Sequence, residues 1–126
     1  MNFHSGSIKR FALVGGDEFR PSCVELDLAI LSVCRTDSPR VAVVPTAAAN
    51  ENPELAANNG IRHLTALGAT AFPVYVLTQE DANDDSVAAQ IDNSDLVYLT
   101  GGDPSHLVDV MAGSLFLKTI RTCASR

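Results

Sequence analysis

The sequence is short of basic side chains and of long apolar runs, and each shortage excludes a class of protein. Its 126 residues hold 9 Lys and Arg against 15 Asp and Glu, which gives a net charge of −6. An acidic chain is repelled by nucleic-acid phosphates and by anionic membrane surfaces, so we expect neither as a partner. No apolar run approaches the ~20 residues that a membrane-spanning helix requires.

Cysteine and histidine are also scarce. The three cysteines are an odd number without the paired spacing of a zinc or disulfide framework, so we expect reduced thiols. Cys23 and Cys34 are predicted to pack on one helix as small hydrophobes. The three histidines lack metal-ligand spacing, and we expect neither a metal nor a cofactor. The start has no signal-peptide core, which favours a cytoplasmic protein whose residues 1–9 form a loose segment.

What is present is an alternation of short apolar runs with helical patterns. Four runs predict β-strands, at 11–14, 41–44, 72–77 and 95–99. Five segments with helical spacing predict α-helices, at 21–34, 53–67, 80–91, 104–111 and 115–123. Strands separated by helices indicate βαβ units, so we expect a single α/β domain with a mostly parallel sheet and helices on both faces.

Five residues carry specific structural expectations. Pro73 lacks an amide donor and therefore belongs at the start of its strand or on a sheet edge. Gly60 lies inside a predicted helix, where glycine costs about 1 kcal/mol relative to alanine, and predicts a weak point or a break. Asn52 and Pro53 are typical of a helix start. Gly68 is typical of the left-handed residue that follows a helix end.

Three polar or glycine-rich loops follow strands, at 15–20, 46–52 and 100–103. Ligands of parallel α/β sheets bind at the carboxyl ends of the strands, so these loops are expected to share the binding edge. Gly15 and Gly16 match neither the dinucleotide nor the P-loop pattern, and a tight turn is the favoured interpretation there.

The segment Gly101-Gly102-Asp103-Pro104 is the most informative motif. Asp103 is typical of a helix N-cap and Pro104 of the first helical position, which gives the turn a structural explanation. The glycines lack a Cβ and also let backbone amides approach a ligand oxygen at a helix N-terminus, where the dipole favours negative charge. An oxyanion hole is built in this way, and both interpretations can hold together.

Three segments taken together resemble one family of hydrolases. Residues 12–20, 41–48 and 97–107 are similar, in order and spacing, to the serine peptidases that include cyanophycinase and dipeptidase E. The resemblance implies a three-layer αβα fold of the class I glutamine-amidotransferase-like type, with a doubly wound, flavodoxin-like sheet. Pro104 departs from cyanophycinase-like members, which have Gln at this position, and this departure argues against cyanophycin as the substrate.

The same resemblance implies a site. It makes the Gly102 amide the oxyanion donor, with Gly101 and Asp103 as the adjoining turn. The loops at the carboxyl ends of the strands separately predict a candidate substrate rim, formed by Gly15, Gly16, Thr46 and Pro104.

The family's catalytic groups are not found in this sequence. The nucleophile of the family lies on the next strand, in a Gly-x-Ser-Ala-Gly elbow, and its histidine and acidic partners come later. The resemblance therefore implies the N-terminal part of a serine hydrolase, truncated before the nucleophile strand and inactive alone. Its substrates would be small peptides, with aspartyl peptides as one candidate group.

Two other functions stay open at this stage. The chain could be a non-catalytic α/β binding or assembly module that forms a homodimer through an open sheet edge. A nucleotide or flavin binder is supported only by the expected sheet topology, which does not by itself assign a function.

Overall fold

A parallel sheet organises the chain in the computed structural model, which describes residues 10–13, 24–32, 34 and 36–125. Its strands are β1 (Arg10–Leu13), β2 (Arg40–Val44), β3 (Thr70–Pro73) and β4 (Leu96–Leu99). They lie in the order β1-β4-β2-β3, and each of the three pairings is parallel. The predicted α/β fold with a parallel sheet is confirmed.

Helices connect these strands. They are α1 (Val24–Ser32), α2 (Pro53–Ala66), α3 (Gln79–Ala82), α4 (Asp85–Ala89), α5 (Pro104–Met111) and α6 (Leu115–Ser125). A short 3-10 turn, Thr46–Ala48, follows β2 directly. Within the described ranges, no helix combines the length and the apolar character needed to cross a bilayer.

Alternate residues of the central strands enter two separate hydrophobic clusters. On one face of the sheet, Val41 and Val43 pack with Leu64 of α2. On the other face, Val44 packs in a cluster that contains Phe116 of α6. Both faces of β2 are therefore covered, which explains why its apolar residues do not alternate with polar ones. The result is the expected three-layer arrangement of helices, sheet and helices.

Helix α2 begins and ends as the sequence predicts. The Asn52 side chain accepts a hydrogen bond from the Leu55 amide at 3.1 Å, and Gly68 follows the helix with a φ of 104°. The predicted break at Gly60 is wrong, because α2 is continuous over 14 residues. Gly60 is buried on the same face as Leu64, and packing against the sheet outweighs its low helix propensity.

Strand β3 ends earlier than the predicted 72–77. Pro73 is its last residue and lies on an edge strand of the described sheet, so the edge prediction is confirmed and the start prediction is wrong. The ladder makes one further bond, from the Val74 amide to the Val43 carbonyl at 2.9 Å, and then β2 itself ends. Val76 is nevertheless fully buried, which accounts for the strand-like pattern beyond the strand.

The helix predicted over 80–91 is two shorter helices. Helix α4 begins afresh after Asp84, whose carboxylate accepts hydrogen bonds from the Ser86 amide at 2.8 Å and the Ser86 hydroxyl at 2.7 Å. An aspartate that bonds the backbone locally offers an alternative to helix continuation and favours an N-cap instead. The acidic run therefore contains a second helix start.

Helix α1 is shorter than the predicted 21–34. It ends at Ser32, so Cys34 lies in the turn after the helix, half-buried against the cluster that contains Leu64. The prediction that two cysteines share one helix is therefore wrong for Cys34, and Cys23 lies outside the described residues. The predicted start near Pro21 also lies outside them.

Replacing Ser86 is expected to change the acid titration of Asp84. Hydrogen bonds from the Ser86 hydroxyl and amide lower the pKa of Asp84 below its ordinary value of 3.8. This stabilisation is complete above the ordinary value and is lost as the pH falls through the lowered folded-state value. In Ser86→Ala the pKa should therefore rise towards 3.8, as measured by NMR titration of the Asp84 carboxyl carbon.

A matched control separates this effect from a general one. Ser32→Ala removes a hydroxyl that bonds the Ala29 carbonyl on another helix, and it should leave the Asp84 titration unchanged. An Asp84 pKa that does not move in Ser86→Ala would contradict the hydroxyl bond as the main cause.

Candidate functional site

Two of the predicted loops meet at the carboxyl end of the sheet. The Thr100 amide donates to the Val44 carbonyl at 3.2 Å, and the Asp103 amide donates to the Ala47 carbonyl at 2.8 Å. These bonds hold the exit of β4 beside the 3-10 turn that follows β2. The third loop, with Gly15 and Gly16, lies outside the described residues.

Gly102 occupies a position that only glycine fits. Its φ is +147°, a backbone conformation that residues with a side chain rarely adopt. A Cβ at this position would lie 2.3 Å from the Ala47 carbonyl oxygen and 2.6 Å from its carbon. Gly102 is exposed, and no residue in the described part of the chain accepts a hydrogen bond from its amide. Its N–H is therefore available to an oxygen atom of a ligand.

The N-terminus of α5 follows this turn directly in the chain. Asp103 caps the helix, because one of its carboxylate oxygens accepts from the Ser105 amide at 3.0 Å and from the His106 amide at 3.4 Å. Pro104 occupies the first helical position, as predicted, and is exposed. The structural interpretation of the motif is confirmed, and the helix places the positive end of its dipole beside Gly102.

Thr46 lies deeper than a rim residue. It is fully buried, and within the described part of the chain its hydroxyl has no hydrogen-bond partner. Of the four candidate rim residues, only Pro104 is seen at the surface. The two glycines of the first loop are not described.

A buried polar cluster was missed by the sequence reasoning. Asp27 of α1 is fully buried, and its carboxylate lies 2.7 Å from His63 Nε2 of α2. The Tyr98 hydroxyl of β4 donates to the same carboxylate at 3.1 Å. His63 is thus a partly buried boundary residue, and the cluster joins α1, α2 and β4. No local pattern signals the cluster, because its members come from three distant segments.

The described site contains no pair of nucleophile and base. His106 Nε2 lies 3.0 Å from the Leu77 carbonyl oxygen, which ties the ring to the loop after β3. Ser105 is its neighbour on α5, and adjacent residues of a helix point in different directions. Across residues 36–125 and the shorter described segments, no group of three or more His, Cys, Asp or Glu side chains could hold a metal ion.

Removing the Asp103 cap is expected to weaken α5. Asp103→Ala leaves the Ser105 and His106 amides without their acceptor, and loss of an N-cap costs about 1 kcal/mol. Urea unfolding should report this loss. Asp103→Ser, which keeps a capping oxygen, should recover most of it, and Asp109→Ala should cost much less because Asp109 caps nothing. Equal losses in Asp103→Ala and Asp109→Ala would contradict the capping role.

Comparison with known proteins identifies similar sequences and folds. The profile described as "Peptidase family S51" matches residues 11–126. A crystal structure of a peptidase from an acI-B1 Actinobacterium matches with a TM-score of 0.80 and 25% sequence identity. The match covers 95% of this chain and 52% of the other, so this chain spans about half the length of that peptidase. No curated protein gave a significant match.

Proposed function

The chain belongs to peptidase family S51, and on that premise we propose that it forms the oxyanion side of a serine-type peptidase site. The proposal rests on Gly102, an exposed residue whose amide has no acceptor among the described residues. The nucleophilic serine, its histidine and its acidic partner are proposed to come from a segment outside these 126 residues. The chain by itself is then inactive.

The chemistry assigned to Gly102 is stabilisation of negative charge. When a serine hydroxyl attacks a peptide carbonyl, its proton passes to the histidine and the carbonyl oxygen becomes an oxyanion. A backbone amide fixed in the turn donates to that oxygen without reorganising, and one such donor contributes roughly 10²–10³ in rate. The first-turn amides of α5 are bonded to the Asp103 carboxylate, which leaves the charge stabilisation to the Gly102 amide.

The proposed substrates are small peptides, with an aspartyl residue beside the cleaved bond. An aspartyl side chain requires a basic or hydrogen-bonding partner. The loops at 46–52 and 100–103 contain no Lys or Arg. Residues outside the described site would therefore provide selectivity for an aspartyl side chain, and the Gly102 turn would provide the chemistry common to all substrates.

The proposal is tested by comparing this chain with the product of its complete reading frame. We would determine the intact mass of the natively expressed protein, sequence the gene beyond codon 126, and assay aspartyl dipeptides. The proposal expects a Gly-x-Ser-x-Gly elbow downstream and turnover only when it is present. A native protein that ends at Arg126 and has no complementing chain would overturn it, as would turnover by residues 1–126 alone.

A non-catalytic assembly module is the second candidate. Within the described sheet, β1 pairs only with β4, which leaves its other edge open. Two large apolar side chains, Leu55 and Val108, are also more than half exposed. A second copy could cover such surfaces. Light scattering after size exclusion would show a dimer if this function holds, whereas a clean monomer would count against it. The homodimer and the cytoplasmic location stay predictions.

A further inference from the structure

We infer that the buried Thr46 hydroxyl is a substrate-positioning hydrogen-bond donor of the site around Gly102, an inference that rests on the proposed function. Thr46 is fully buried, and its Oγ1 has no hydrogen-bond partner among the described residues. Most buried side-chain polar atoms in proteins are hydrogen-bonded, because leaving one without a partner costs free energy.

Its place in the chain puts Thr46 beside the glycine turn. The residues on either side of it are fixed to the exit of β4, since Val44 accepts from the Thr100 amide and Ala47 accepts from the Asp103 amide. A Cβ on Gly102 would clash with the oxygen of the same Ala47 carbonyl. Thr46 and Gly102 therefore lie on two segments that are held against each other.

A hydroxyl without a hydrogen-bond partner can rotate towards a ligand at a small cost in free energy. Threonine populates more than one χ1 rotamer, so its hydroxyl and methyl can exchange places by rotation about a single bond. Oγ1 has no hydrogen bond to lose on rotating. A ligand oxygen bound at the exposed Gly102 can thus accept a hydrogen bond from the rotated Thr46 hydroxyl.

The donors around this turn define the chemistry of the ligand. The Gly102 amide and the Thr46 hydroxyl both offer a hydrogen-bond donor, whereas the first-turn amides of α5 are already bonded to Asp103. A matching group is an oxygen that carries partial or full negative charge. In a peptide substrate that atom is the carbonyl oxygen of the cleaved bond, and in the acyl product it is a carboxylate oxygen.

The test uses the acyl product that an aspartyl dipeptide would release. L-Aspartate is titrated into the chain while the Gly102 amide is followed by NMR. Binding should shift this amide, and Thr46→Val, which replaces the hydroxyl by a methyl group, should weaken binding about tenfold, as expected for one lost hydrogen bond. Thr46→Ser keeps a hydroxyl and should bind within about threefold of the unaltered chain.

Two controls exclude a structural explanation. Thr46→Val should melt no lower than the unaltered chain, because the hydroxyl that it removes had no partner. Thr119→Val removes a hydroxyl that bonds the Leu115 carbonyl within α6, and it should leave the affinity for L-aspartate unchanged.

The outcomes separate this inference from the proposed function. Equal binding by Thr46→Val and the unaltered chain would overturn the role of Thr46 and leave the Gly102 assignment intact. A high-resolution structure in which a resident water occupies Oγ1 both with and without L-aspartate would overturn it as well. No shift of the Gly102 amide in the unaltered chain would overturn both, whereas the dipeptide assay tests the proposed function alone.

Discussion

Gly102→Ala is expected to destabilise the chain by about 2–6 kcal/mol, the larger of the two effects argued here. Two independent costs contribute. A side chain at a φ of +147° strains the backbone, at roughly 1–3 kcal/mol. The new methyl group would also lie 2.3 Å from the Ala47 carbonyl oxygen, and forcing extra volume into a filled position costs a further ~1–3 kcal/mol.

The chain contains two controls that isolate the second cost. Gly68 and Gly113 also have positive φ values, and a Cβ built on either would meet nothing within 4 Å. Their alanine variants should therefore show only the strain, at about 1–2 kcal/mol each in urea unfolding. If Gly102→Ala lost no more than these two variants, the close approach to Ala47 would be contradicted.

Asp27→Ala is expected to cost about 2–5 kcal/mol. The substitution removes the buried carboxylate that accepts from the Tyr98 hydroxyl and contacts His63 Nε2. Loss of a buried hydrogen-bond acceptor costs roughly 1–3 kcal/mol for each donor that it served. Tyr98→Phe removes only one donor and leaves the His63 contact, so it should cost about 1–2 kcal/mol in the same unfolding experiment.

The other tyrosine of the chain gives a matched control. Tyr75 packs against the same hydrophobic cluster as Tyr98 without a contact to Asp27, and Tyr75→Phe should change stability by less than about 0.5 kcal/mol. A double-mutant cycle between Asp27→Ala and Tyr98→Phe should show coupling, because each variant removes one side of the shared hydrogen bond. Additive losses would contradict the bond.

Local signals explain what the sequence could predict. The α5 start was predictable because Asp103 and Pro104 act within one turn of the helix that they begin, and Asn52 and Gly68 bound α2 for similar reasons. The parallel sheet followed from the order of apolar runs and helices. The start of α4 had a signal too, because Asp84 in the acidic run is a typical N-cap residue.

What the sequence could not show depends on distant partners. The contacts of Asp27 join residues that are 36 and 71 positions apart, and no spacing rule reaches so far. The end of β3 is set by the end of its neighbour β2, because no further backbone groups of β2 are available for pairing. Val74 and Val76 therefore have the sequence pattern of a strand but lie beyond its last residue. The unpartnered state of the Thr46 hydroxyl depends on its packing, which a sequence does not reveal.

The strand order has a consequence for how the chain assembles during synthesis. β4 is the last described strand to be made, yet it lies between β1 and β2 and pairs Leu96 with both Arg10 and Val41. Until β4 leaves the ribosome, the backbone groups of β1 have no hydrogen-bond partner among the described strands. Contacts of such long sequence separation slow folding, so the nascent chain is exposed to aggregation over that interval. A chain truncated before Leu96 would keep the β2–β3 pair but leave β1 without a hydrogen-bonded neighbour among the described strands.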